Sequence, residues 1–302
     1  MTQNDTGRTK LSILVFVLLT FGLSSISYWR ITHHSPEELR SAHVILFLMW
    51  TPGVSGLLTR LIFQGNLRGH GWGWGKTKYQ FASIWIPLAY ASAVYLPVWF
   101  AGYFDGGSSE VTKLAERFPS LPHWVLIAIF FGGIATAGML LSCISALGEE
   151  LGWRGFLVPQ LAKILPFPAV GVISGTIWAL WHYPIILFSF YRGGGPLWYS
   201  VVCFTVMVVG IAVLAAWMRL KTGSVWTGMF LHASHNIFIQ AFFDAQTRHS
   251  RFTDLWTTEF GAGLSIMGIV VAAICIAKRG ELPTESRAEA GVPAGAAVQS
   301  FG

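Results

Sequence analysis

The sequence predicts an all-α polytopic integral membrane protein of about eight transmembrane helices. Of its 302 residues, 53% are hydrophobic and only 11% are charged, and the mean hydropathy is +0.56. Soluble domains carry roughly 25% charged residues, so this composition cannot build a water-facing surface. Eight apolar runs each approach the roughly 20 residues that cross a bilayer as a helix. Fourteen Trp and 22 Phe fit interfacial belts and lipid-facing surfaces.

The first run, residues 11–29, follows Arg8 and Lys10 as a signal sequence would. It is too long for a typical signal core and no A-x-A site follows, so it reads as a retained helix. Runs at 42–63 and 79–104 come next. Residues 105–122 form a polar connection with one amphipathic stretch around 111–118. The fourth run covers 123–147, and helical pattern continues beyond it until Pro159. Runs at 169–190, 197–218, 225–243 and 260–277 complete the set. Residues 1–279 read as one transmembrane domain with no internal repeat, and its motif-bearing core spans about 142–243. The Ala, Gly, Pro and Glu of 280–302 read as a disordered tail.

The net charge of +6 sits between apolar spans. It therefore reports topology and contact with anionic headgroups, not nucleic acid. With a cytoplasmic N-terminus, twelve basic residues fall inside: Arg8, Lys10, Arg68, Lys76, Lys78, Arg154, Lys163, Arg219, Lys221, Lys278, Arg279 and Arg287. Seven fall outside: Arg30, Arg40, Lys113, Arg117, Arg192, Arg248 and Arg251. The bias predicts a multi-pass protein of the cell membrane with both termini cytoplasmic. Cys143, Cys203 and Cys275 lie in apolar runs without CxxC spacing, so they read as small packed residues and not as disulfides or metal thiolates.

Charge within a bilayer is costly, so each intramembrane polar residue asks for a reason. Of fourteen acidic residues, twelve fall in connections or tails; Glu149 and Glu150 remain. Of nine histidines, His182, His232 and His235 lie well inside spans. Glu150 and Arg154 are four apart and share a helix face, which predicts an ion pair. Glu149 is turned by roughly 100° from Glu150 and has no intrahelical cation. His182 precedes Pro184, which loosens local backbone bonding. His232 and Asn236, four apart, project from one face, with His235 on its flank.

Each feature alone has an ordinary reading: an interfacial ion pair, a hydrogen-bonded histidine, a polar seam between helices. Together, three segments supply a carboxylate, imidazoles and a carboxamide. Hydrolysis needs such a set, to activate water and to stabilise an oxyanion.

At these residues the chain resembles the CPBP family, the CAAX proteases and bacteriocin-processing enzymes, also called Abi or CAAX prenyl protease 2-like. Its motifs are EExxxR, FxxxH and HxxxN. The first is met by Glu149-Glu150-Leu-Gly-Trp-Arg154 and the third by His232-Ala-Ser-His-Asn236. The second stands as Trp178-Ala-Leu-Trp-His182, with Trp where Phe is usual. The resemblance implies an intramembrane endopeptidase acting on a membrane-anchored protein or peptide. It also implies that Glu149 and His182 activate water, and that His232 and Asn236 polarise the substrate carbonyl or help hold a metal. A zinc set of Glu149, His182 and His232, with one position open for water, and a metal-free water on Glu149 and His182 both remain open.

Two other classes compete: a proton-coupled transporter, which would use the same residue types, and a non-catalytic scaffold or immunity protein of the same fold. One feature of the peptidase reading is awkward. If the fourth helix ends at 147, counting rise per residue puts His182 deeper than Glu149, unless Pro184 or a late start to the fifth helix brings them level.

Overall fold

The computed structural model describes residues 3–34, 43–189 and 191–283, and among these it is all-helical, with one isolated antiparallel bridge between Phe104 and Thr247. Helix α1 (Gln3–His33) buries Thr9, Ser12, Phe16, Thr20, Ser24, Ser27 and Ile31, spaced three or four apart, and exposes Leu11, Leu14, Leu18 and Ile26. Small polar side chains face protein and large apolar ones face outward, the arrangement expected where lipid is the solvent. Hydroxyls on this inner face are satisfied locally, as Thr20 is on the Phe16 carbonyl, or across helices, as in the Ser24–Thr51 bond of 2.6 Å.

Helix α2 (His43–Gln64) meets α5 (His123–Leu161) through glycines. A β-carbon at Gly53 would collide with the Gly148 carbonyl, and one at Gly152 with Pro52. Helix α3 (Thr77–Val98) ends in a π-helical turn, Trp99–Tyr103, where Gly102 takes φ +93°. The short amphipathic α4 (Ser109–Arg117), capped by the Ser108 hydroxyl, falls where the sequence places it. Helix α6 (Phe167–Phe188) carries Pro184 without a break, and α7 (Leu197–Thr222) is the central helix, the most buried of the long ones. Helix α8 (Trp226–His235) runs on into π-helical turns, Asn236–Phe243. The short α9 (Arg251–Trp256) and then α10 (Ala262–Ala277) close the bundle.

Two expectations shift. Seven described helices are long and apolar enough to span a membrane. The expected seventh span, 225–243, is helical but not among them: His232, His235, Asn236 and Gln240 lower its hydropathy, and it lies mostly buried among the other helices. The fourth span does not stop at 147. It is α5, a continuous 39-residue helix from His123 to Leu161 with π-helical turns at Ile134–Gly138 and Trp153–Leu157.

Several connections gather at one end of the bundle. Gly71 accepts from the Val225 amide at 2.9 Å, Arg219 donates to Gly69, Arg8 to Phe63, and Lys221 reaches Glu281 at 3.4 Å. The described chain ends therefore share a face with connections 65–76 and 223–225. The expected tail lies outside the described residues from 284 on. So do residues 35–42 and Phe190, which bound two expected spans.

Candidate active site

Helix α5 supplies both motif carboxylates at the turn before its second π-helical segment. The predicted pair forms: Arg154 Nη1 lies 2.8 Å from Glu150 Oε1, and both side chains are buried. The Arg154 guanidinium also lies over the Trp178 ring, 4.4 Å from its centre. His232 Nδ1 sits 3.1 Å from the same Glu150 oxygen, so one carboxylate joins α5 to α8. The other, Glu150 Oε2, has no protein partner and faces Gly228, where a β-carbon would strike it. Glycine is required there by contact, not by backbone angle.

Glu149 is turned away, as expected, but it is not without partners. Its Oε2 accepts from the indole N–H groups of Trp178 at 2.8 Å and Trp153 at 3.2 Å. Trp178 stands at the position where the motif usually carries Phe, and a Phe there would donate nothing.

Glu149, His182, His232 and Asn236 line one cavity of about 200 Å³. Glu150 and Arg154 stand outside its lining. His182 Nδ1 lies 3.0 Å from the Trp178 carbonyl. A carbonyl only accepts, so that nitrogen carries the proton and Nε2 keeps a lone pair. Trp181, Phe204 and Tyr191 surround the ring, with centres 4.8, 5.1 and 6.3 Å away. The depth problem resolves through the length of α5. Glu149 is twelve residues from Leu161, and His182 is fifteen from Phe167, so at 1.5 Å per residue both lie about 20 Å from their helix ends. The Pro184 kink is not needed.

The zinc set fares differently. Among the described residues no three His, Cys, Asp or Glu side chains stand where they could hold a metal ion together. Glu149 Oε2 is taken by two indoles and His232 Nδ1 by Glu150. The donors are chemically apt, and among the described residues no hydrogen bond occupies Glu149 Oε1 or the Nε2 atoms of His182 and His232, the atoms that would hold a zinc ion.

The sequence reading misses Glu259, placed there among the loop acids. It is 7% exposed and lines the same cavity. Its partners are His235 Nε2 at 2.9 Å, the Tyr191 hydroxyl at 2.6 Å and Gln240 Nε2 at 2.9 Å. Burial raises its affinity for a proton, but these hydrogen bonds outweigh burial and hold the carboxyl at about 2. Thr258 before it has φ +63°, a conformation that costs a β-branched residue roughly 1–3 kcal/mol, and the Tyr95 hydroxyl accepts from its amide at 2.8 Å. The only signal in the sequence is that Glu259 abuts the last apolar run.

The family model described as type II CAAX prenyl endopeptidase Rce1-like matches residues 125–238. The CAAX prenyl protease 2 of Methanococcus maripaludis is 28% identical over 87 residues, which cover 28% of this chain and 32% of that protein. The chain thus spans about a third of the length of the curated relative it matches. All three motifs, and every cavity residue they contribute, fall within the matched segment. Over residues 125–238, and there alone, the chain is similar to the Rce1-like type II CAAX prenyl endopeptidases.

Proposed function

We propose that the protein is an intramembrane endopeptidase of CAAX type, hydrolysing a peptide bond in a membrane-anchored protein or peptide. The observation that carries the reading is the convergence of Glu149, His182, His232 and Asn236 on one cavity, with the Glu150–Arg154 pair buried beside it. Glu149 is held by two indoles on Oε2, which leaves Oε1 for water. The His182 Nε2 lone pair accepts that water's second hydrogen. The water oxygen attacks the carbonyl carbon as Glu149 takes a proton, and Glu149 then delivers it to the departing amide nitrogen. His232, carried as the imidazolium against the Glu150 carboxylate so that Nε2 also bears a hydrogen, and the Asn236 carboxamide present N–H donors to the developing oxyanion. Ile31, Ile45, Leu48 and Met49 give the cavity an apolar wall, which suits a lipid-bearing or apolar substrate segment.

The test is incubation of purified protein in lipid with membrane-tethered peptides, with and without chelator, beside Glu149→Gln. Cleavage by wild type alone is expected. No cleavage of any peptide, or equal cleavage by the variant, would overturn the reading in favour of a scaffold or transporter. Metal analysis of the active protein decides between waters: full activity well below one metal per chain removes the zinc version.

A further inference from the structure

We propose that Glu259 is a positioning residue for this site, tying together the two cavity walls that carry His182 and Asn236. The proposal rests on the peptidase reading and adds to it a residue outside the three motifs and outside the family match.

Three donors from two directions meet on this carboxylate. His235 ends α8, Gln240 lies in the π-helical stretch that continues it, and Tyr191 comes from the connection after α6. Its acceptor capacity is therefore nearly filled, which leaves little for a substrate. What it does is hold its partners. Tyr191 lies against the His182 ring, with centres 6.3 Å apart at 32°. His235 immediately precedes Asn236, the first residue of the π-helical stretch, and its other nitrogen is fixed by the Tyr90 hydroxyl at 2.6 Å. A π-helical turn changes which face each following residue presents. A side chain locked at the start of that turn therefore sets where Asn236 points. The loop carrying Glu259 is itself constrained, because the strained Thr258 is held by Tyr95, which in turn donates to Asp244.

The experiment is steady-state cleavage of a membrane-tethered peptide by full-length protein in lipid, comparing wild type with Glu259→Gln, Glu259→Asp and Tyr191→Phe. Glutamine keeps the shape but turns an N–H2 toward groups that donate. Glu259→Gln should lower kcat per folded molecule by about 10- to 100-fold, the scale of ångström-level misplacement, with KM within about twofold, a loss beyond any fall in folded protein. Glu259→Asp should recover part of the loss. Tyr191→Phe should lower kcat less, and its effect should largely vanish in the Glu259→Gln background, because coupled residues are not additive. Wild-type kcat in Glu259→Gln, or loss of activity only in proportion to loss of folded protein, overturns the proposal. If Glu259→Gln does not fold, an unchanged kcat in Tyr191→Phe overturns it. A wild type that cleaves nothing overturns the peptidase reading and this proposal with it; an active wild type beside a fully active Glu259→Gln overturns this proposal alone.

Discussion

Trp178 donates its indole N–H to Glu149 at 2.8 Å, so the aromatic residue of the second motif is a polar partner of the first motif's carboxylate. Phenylalanine would fill the same space and leave Glu149 to Trp153 alone. Hydrogen bonds to charged groups contribute about 1.5–3 kcal/mol. Trp178→Phe is therefore expected to lower kcat by about tenfold with near-normal expression, read in a peptide-cleavage assay. Unchanged kcat would show that this bond does not orient Glu149.

The two adjacent glutamates should separate on substitution. Glu150 pairs with Arg154 and His232 in a buried setting, and breaking a buried pair costs about 3–5 kcal/mol. Glu150→Gln should lower folded yield and melting midpoint as well as activity. Glu149→Gln should express normally and cleave nothing. Indistinguishable behaviour in yield, melting and turnover would sink this division of roles.

Asn236 is assigned to the oxyanion. Loss of one such donor costs about 10²–10³ in turnover where it has been measured. Asn236→Ala should show that loss in kcat with little change in KM. A raised KM at unchanged kcat would make Asn236 a binding residue instead.

Acid should destabilise the bundle through His70, in the connection 65–76. The ring is fully buried, bonded through Nε2 to the Leu151 carbonyl at 2.9 Å, and its Nδ1 has no partner. Burial, with Arg60 and Arg219 nearby, pushes His70 down from 6.5 to about 4. The folded state then binds fewer protons than the unfolded one, so stability is full above about 6.5 and falls as pH drops toward 4. The loss reaches about 3 kcal/mol at 1.36 kcal/mol per unit. Melting midpoints across this window should fall for wild type and fall less for His70→Gln; equal slopes would refute the assignment.

Orientation follows from the basic bias. With both termini cytoplasmic, a reporter inserted at Gly107, where an added β-carbon would meet no more than the Asp105 carboxylate at 3.8 Å, should report the outer side and a C-terminal fusion the inner side. A cytoplasmic signal at Gly107 would reverse the assignment.

How much of this was legible in the sequence depends on the range of the interaction. The Glu150–Arg154 pair is set by four-residue spacing on one helix, and the spacing alone predicts it. The apolar runs locate helices because lipid demands length and hydropathy. The length of α5 was only half visible: polar residues after 147 looked like a helix end, whereas packing against α2 and the His70 connection shelters them. Glu259 was invisible because its partners, Tyr191, His235 and Gln240, lie 68, 24 and 19 residues away. Sequence shows the size of Trp178, and only the three-dimensional approach of α6 to Glu149 shows its N–H in use.

The helix that carries His232 and Asn236 falls short of the apolar character of the seven spanning helices. That has a consequence for biosynthesis. A nascent chain leaving the insertion machinery gives such a segment little reason to stay in lipid until α3, α5 and α7 are there to receive it. His232 and His235 on it find partners in Glu150, Tyr90 and Glu259, supplied by other parts of the chain. Integration of this helix is thus a late event, driven by docking rather than partitioning. On the peptidase proposal, a carbonyl-binding arm that arrives last keeps the protein harmless to its neighbours, and to itself, while it is being made.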